Sequence, residues 1–222
     1  MSWDPAWERV FSQREWGRYP PEELIRFVAR HFFRAPDRSQ VRILELGCGA
    51  GANLWFLARE GFAAYGMDGA PSAIRKAERR LAEDGLRADL RVGDAAQVGA
   101  LYPAGAFDAV IDVCCLQHNP VPVVGRTLTQ VRSLLRPGGW FFAMLVAAGS
   151  WGAGTGIEVE PGTFTDIAVG PLVGVGLTHF FTETEVESLL AGFDPVEVES
   201  SERSLNRRRD VYRHWVVEGQ VP

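Results

Sequence analysis

Apolar residues in this chain follow two rhythms. Short runs such as Val41 to Leu46, Ala63 to Met67 and Phe107 to Val113 are rich in β-branched residues and leucine without a steady polar alternate face. A strand of a parallel sheet covered on both sides reads this way. Between such runs, Leu54, Phe56 and Leu57 within Asn53 to Glu60, and Ile74, Ala77 and Leu81 within Ala73 to Asp84, recur at helical spacing. Gly61 and Gly85 follow where helices commonly end, and Ser72 stands where an N-cap of the second would stand. The alternation continues with a brief strand over Leu90 to Val92, a helix over Val123 to Leu135, and a strand over Trp140 to Val146 after the turn Pro137-Gly138-Gly139. Strands alternating with helices predict an α/β fold, a Rossmann-like doubly wound sheet of about seven strands, mostly parallel.

The end of the chain changes the pattern. Val196 to Ser200 and Val211 to Val217 are extended runs joined by a polar loop with no helix between, so they must pair antiparallel and leave an antiparallel C-terminal strand in the sheet. A helix over Glu183 to Ala191 precedes them, opened by a capping box of Thr182 and Glu185. At the other end, Trp3, Trp7 and Phe11 recur at helical spacing, and a helix is expected over Glu22 to Phe33.

The turn between first strand and first helix reads Glu45-Leu46-Gly47-Cys48-Gly49-Ala50-Gly51. Glycines there let a ligand approach the backbone with no Cβ in the way. Alone, the segment is ambiguous. Gly47, Gly49 and Ala52 also satisfy the G-x-G-x-x-A dinucleotide fingerprint, which keeps a nicotinamide-dependent oxidoreductase open.

Further residues resemble the class I S-adenosylmethionine-dependent methyltransferases, whose first motif reads E-x-G-x-G-x-G at this turn. Asp68 closes the second strand and Gly93-Asp94-Ala95 follows the third; Phe107 to Val113 runs into Leu116-Gln117-His118, and Leu135-Arg136-Pro137-Gly138-Gly139 leads into the fifth strand. The resemblance extends from about Val41 to the end of the chain. It implies S-adenosylmethionine as cofactor, with Glu45, Gly47, Cys48, Gly49 and Gly51 around the first turn and Asp68 accepting hydrogen bonds from the ribose hydroxyls. It also implies that Asp94 faces the adenine amino group, that the backbone of Ala95 meets the ring, and that Asp112 and Val113 are strand-end cofactor contacts. The N/D-P-P-Y/F motif of the nucleic-acid amino-methylating branch is replaced here by Asp112-Val113-Cys114-Cys115, which points away from DNA.

The cofactor's own chemistry agrees with these residues. Its carboxylate suits the positive end of the first helix, and it carries no phosphate. Its sulfonium is already activated, so the protein chiefly orients the acceptor atom toward the methyl carbon. If the acceptor must lose a proton, His118 beyond the fourth strand is the candidate base, against a capping or packing role for the same ring. Trp16 and Tyr19 lie in a Gly- and Pro-punctuated turn from which aromatic faces could meet the sulfonium, with packing as the alternative.

Ala147 to Phe181 is far longer than an ordinary connection and rich in glycine, so it reads as a lid or substrate-binding insertion. Trp151, Phe164 and His179 are its candidate substrate contacts, and Glu158 and Glu160 would suit a cationic acceptor. Arg207, in the run Arg207 to Arg209 between the last two strands, would suit an anionic one, against a plain solvated charge run. A single domain over 1-222 is expected, with an N-terminal helical cap at 1-40, a cofactor-binding core at 41-146, the insertion at 147-181 and the last helix and strand pair at 182-222.

A formal charge of -5, with no basic stripe, argues against nucleic acid as a partner. No signal-peptide pattern and no apolar run of membrane-spanning length is found, so a cytoplasmic protein acting off the membrane is expected, as monomer or homodimer. Cys48, Cys114 and Cys115 lack the spacing of a disulfide framework or zinc site, and no metal is expected. The resulting expectation is methyl transfer to an O or N atom of a small-molecule methyl acceptor, with a non-catalytic S-adenosylmethionine-binding module as a further alternative.

Overall fold

A computed structural model describes residues 3–15 and 17–222. Helices α1 (Ala6–Gln13) and α2 (Glu22–Phe32) precede the alternating core of β1 (Arg42–Leu46), α3 (Ala52–Arg59), β2 (Ala63–Asp68), α4 (Pro71–Glu83), β3 (Asp89–Val92), β4 (Phe107–Val113), α5 (Val121–Leu134) and β5 (Leu135–Val146). Three short strands follow, β6 (Ile157–Glu160), β7 (Thr163–Thr165) and β8 (Thr178–His179), then α6 (Glu183–Leu189) and the hairpin of β9 (Val196–Leu205) and β10 (Asp210–Gln220). No described helix is long and apolar enough to cross a membrane.

Seven strands form one sheet in the order β3-β2-β1-β4-β5-β10-β9. The pairs from β3 to β5 are parallel, and β10 runs antiparallel to both of its neighbours. The two faces of the central strands bury into different layers, which is why their sequences lack a polar alternate. Ile43, Ala109, Ile111 and Phe142 pack toward α2 and α3, while Leu44, Leu46, Val110 and Phe141 pack toward α5. Phe27 of α2 lies 4.9 Å from Phe142, centroid to centroid, and both are fully buried. Each such side chain contributes about 1.5–3 kcal/mol relative to exposure.

Several boundaries depart from the sequence reading for local physical reasons. Helix α4 starts at Pro71, whose fixed φ suits a first helical position, so Ala70 rather than Ser72 is the cap. Ser72 instead binds Glu8 of α1 through both its N–H and its hydroxyl. Strand β5 begins at Leu135 and carries the Pro-Gly-Gly turn within it as an irregularity, its register with β4 shifting between Phe107 and Ala109. The insertion is not structureless, since β6, β7 and β8 form a small antiparallel sheet of their own. The capping box at α6 is present in both directions, although the helix ends at Leu189.

Strand β10 is also longer than expected, and this shapes the site. Its pairing with β5 begins at His214, opposite Val146, while its pairing with β9 begins four residues earlier at Asp210. The hairpin therefore projects past the carboxyl end of β5. Trp151 N–H donates to the carbonyl of Val211, and Ala147 N–H to that of Arg213, so the insertion leans on this extension.

Candidate functional site

The carboxyl ends of parallel strands are where an open α/β sheet leaves a crevice. A cavity of about 460 Å³ lies there, within the range of small-molecule sites. Its floor is the glycine turn after β1. Gly47 and Gly49 adopt φ of 59° and 51°, a region that favours glycine. Cys48 N–H donates to the Met67 carbonyl, and Gly49 N–H donates to Asp68 Oδ2 at 2.9 Å. Asp68 Oδ1 accepts from Ala70 N–H at 2.8 Å, so one carboxylate ties the β1 turn to the turn after β2. Burial pushes the Asp68 pKa up to about 6, against the pull of those two backbone donors.

Beside it, Asp94 follows β3 and uses Oδ1 to accept from Ala96 N–H at 3.0 Å, opening a short 3-10 turn. Below the glycine turn Glu45 is buried, with Oε1 accepting from the Asn53 amide of α3 and Oε2 without a partner among the described residues. Desolvation raises the Glu45 pKa well above the usual carboxylate range, with the Asn53 hydrogen bond opposing it. Helix α1 roofs the cavity, as its aromatic spacing allows. A Cβ at Gly69 would stand 2.6 Å from the Trp3 ring, and one at Gly49 would stand 3.0 Å from the Phe11 ring. Trp7 packs edge-on against His118, 4.6 Å between centroids.

Of the residues singled out by sequence, Tyr19, Glu45, Gly47, Cys48 and Gly49 line this cavity, as do Asp68, Asp94, Ala95, Val113 and His118. Others lie elsewhere. Gly51 caps α3 and meets α4, where a Cβ would fall 2.8 Å from that of Ala77. Asp112 is wholly buried below the wall, its Oδ1 accepting from Leu116 N–H at 2.9 Å. Trp16 lies outside the described residues.

The four candidate substrate contacts are also off the cavity wall. Trp151 packs where the insertion meets β10, and Phe164 packs on Phe180 at 6.0 Å inside the insertion. His179 is fully buried with Nδ1 2.7 Å from the Thr163 hydroxyl, so it fastens the small sheet. Glu158 and Glu160 accept backbone N–H groups of Gly162 and Val121, and both lie off the cavity wall. Arg207 is exposed at the hairpin tip in a left-handed turn.

His118 is held on both sides. Its Nδ1 lies 2.9 Å from the Leu177 carbonyl, which can only accept, so Nδ1 carries the proton. Its Nε2 then faces the Gln117 amide nitrogen at 3.3 Å, and Gln117 Oε1 accepts from Val146 N–H at 2.8 Å. Burial lowers the His118 pKa to about 4.

Sequence reasoning passed over the far end of the cavity. Trp7, Pro171, Leu172, Val175, Tyr212 and His214 meet there, drawn from α1, the insertion and the projecting hairpin. Trp7 carried a sequence signal in its helical spacing, which also fits plain core cover, and Pro171, Leu172 and Val175 fall in the insertion read as a lid without being singled out.

The sheet order, the crevice at the strand ends and acids at the ends of β2 and β3 define a Rossmann-like fold of methyltransferase topology. A family model described as a methyltransferase domain matches residues 43–139. A ubiquinone biosynthesis O-methyltransferase of Methylobacterium nodulans is 32% identical over 146 residues, covering 62% of this chain and 56% of that protein. Its Caulobacter vibrioides counterpart is 33% identical over 144 residues, covering 63% and 56%. The matched stretch thus spans little more than half the length of these curated relatives. A SAM-dependent methyltransferase structure from Methanosarcina mazei superposes with a TM-score of 0.66 at 24% identity, covering 81% of this chain and 92% of that one. The 1,6-didemethyltoxoflavin-N1-methyltransferase of Burkholderia thailandensis superposes with a TM-score of 0.61 at 20% identity, covering 98% and 78%. Over residues 43–139 the chain is similar to the methyltransferase-domain family, and its fold is that of the superposed methyltransferase structures.

Proposed function

We propose that this chain transfers a methyl group from S-adenosylmethionine to an O or N atom of a small-molecule acceptor. The observation that carries the reading is one continuous cavity with the glycine turn, Asp68 and Asp94 at one end and an apolar chamber at the other. The residues fit the cofactor. No Lys or Arg stands on the described wall, whereas Asp4, Asp68 and Asp94 do, which suits a ligand carrying an ammonium and a sulfonium and opposes the pyrophosphate of a nicotinamide dinucleotide. Asp68 would hold the ribose hydroxyls, Asp94 and the backbone at Ala95 the adenine edge, and the turn at Gly47 and Gly49 the amino-acid portion. Bound there, S-adenosylmethionine supplies an electrophilic methyl group.

Among acceptor atoms, the names of the curated relatives favour oxygen. Isothermal calorimetry with S-adenosylmethionine, followed by methyl-label transfer to a library of small acceptors, tests the proposal. Absence of cofactor binding by the folded protein would overturn it, and binding without turnover on any acceptor would favour a non-catalytic module.

In this reading His118 positions rather than deprotonates, because burial makes its ring a weak base and both nitrogens are engaged. We expect His118→Asn to slow transfer by no more than about tenfold, below the 10²–10⁴ of a general base. The pH profile of kcat/KM should keep its shape. Loss of an inflection in the variant would return the base role to His118.

A further inference from the structure

We infer, resting on the methyl-transfer reading above, that the far chamber takes an uncharged, largely apolar hydroxyl acceptor and that His214 accepts the proton that hydroxyl gives up.

The chamber is walled by Trp7, Pro171, Leu172, Val175 and Tyr212, with His214 on the same wall. Leu172 and Val175 are buried in a cluster against which Trp7 and Tyr212 also pack. An apolar ring or chain gains by displacing water from such walls, whereas an acceptor carboxylate or phosphate would meet no compensating cation. No Lys or Arg is found on the described wall, and Arg207 to Arg209 stay exposed at the hairpin tip. The acids already on the wall make an anionic acceptor costlier still.

The position of His214 follows from the sheet order. Asp94, Asp68 and Gly49, the proposed cofactor contacts, stand at the carboxyl ends of β3, β2 and β1, while Cys114 follows β4, so an acceptor beyond the methyl group lies toward β5 and β10. His214 sits on β10 opposite the last residue of β5, level with that end of the cavity.

Its surroundings leave it able to exchange partners. The ring Nε2 is 3.5 Å from Cys114 Sγ, and a thiol is a weak partner that a hydroxyl can displace. The Tyr212 ring stands edge-on 4.8 Å away on the same strand. Glu23 on α2 is the charged group that opposes the burial-driven fall of the His214 pKa, and it is held in place by the Ser201 hydroxyl of β9. Burial lifts the Cys114 thiol up to about 12, so it stays protonated and does not compete as a base.

The transfer balances without a further reactant. As the acceptor oxygen forms its bond to the methyl carbon, the carbon–sulfur bond breaks and its electrons remain on sulfur. The hydroxyl proton passes to the imidazole, which later releases it to solvent.

The test compares wild type and His214→Gln with 4-methylcatechol, 4-nitrocatechol and 3,4-dihydroxybenzoate. Binding of each is measured by calorimetry with S-adenosylhomocysteine present, and methyl transfer is measured separately at pH 8. Wild type should bind 4-methylcatechol at least about tenfold more tightly than the carboxylated analogue, since the latter buries an unpaired charge. H214Q should retain cofactor affinity, which reports its folding. It should lose at least about 100-fold in kcat on 4-methylcatechol, the scale of general-base catalysis, and under tenfold on 4-nitrocatechol, which ionises without help. The acid limb of kcat/KM should vanish in the variant.

Equal losses on both catechols would overturn the base role. Equal or tighter binding of 3,4-dihydroxybenzoate, or no transfer to 4-methylcatechol by a wild type that binds S-adenosylmethionine, would overturn the acceptor class. Failure to bind S-adenosylmethionine at all would instead defeat the underlying methyl-transfer reading.

Discussion

Asp68→Ala is expected to weaken S-adenosylmethionine binding by at least about 100-fold, or about 3 kcal/mol, the scale of losing hydrogen bonds to a charged acceptor. The loss has two parts. The variant removes the proposed acceptor of the ribose hydroxyls, and it also leaves the N–H groups of Gly49 and Ala70 without the oxygens they now use. Asp68→Asn keeps one oxygen and should fall between. Calorimetry on variants with unchanged circular dichroism checks this, and an Asp68→Ala affinity within threefold of wild type would refute the assignment.

The same carboxyl sets a pH dependence. Its folded pKa of about 6 means that it gains a proton as pH falls through 6. Hydroxyl donors favour the charged form, so cofactor affinity should be full above that point and decline below it by up to tenfold per pH unit.

Asp112→Asn is expected to stabilise the fold increasingly as pH rises from about 4 to about 8. Asp112 is fully buried, Oδ2 has no hydrogen-bond partner among the described residues, and burial holds its pKa at about 8. An unfolded aspartate ionises near 3.9, so within this window the native state retains a proton that the unfolded chain has released. Native stability therefore drops as pH rises, by about 1.4 kcal/mol per unit for this group. Asparagine can keep an oxygen for Leu116 N–H and never ionises. Melting temperatures of the two proteins at pH 5 and pH 9 decide the matter, since a difference independent of pH would show that Asp112 does not titrate as described. Glu45 shifts in the same direction and feels the charge of Asp112, so the comparison reads the pair rather than Asp112 alone.

The half of the cavity proposed to hold the cofactor was legible in the sequence as a cluster because its parts are local. A glycine turn, an acid at a strand end and a Gly-Asp-Ala segment each sit within a few residues of the element that positions them, and the sheet brings those ends together. The acceptor half was not readable, because its wall exists only in three dimensions. His214 lies in a strand whose Tyr212-Arg213-His214 sequence shows no more than alternation, and its importance comes from β10 running past the end of β5. Aromatic residues of the insertion looked like pocket lining by composition, yet Phe164 and His179 are spent on holding the small sheet together. Arg207 pointed to an anion by charge alone, and the turn that carries it faces solvent.

Asp4 carries a consequence of another kind. Its Oδ1 accepts from Ala6 N–H at the start of α1, and its Oδ2 accepts from Leu177 N–H at 3.3 Å, while the Leu177 carbonyl faces His118. The cover over the nucleoside end and the cover over the acceptor end are thus stitched at one carboxylate. Ordering either one lowers the entropic cost of ordering the other, so the two ligands should assist each other's binding, and by linkage the assistance must be equal in both directions. Departure is tied in the same way: the stitch that helps both ligands settle must give before either product leaves.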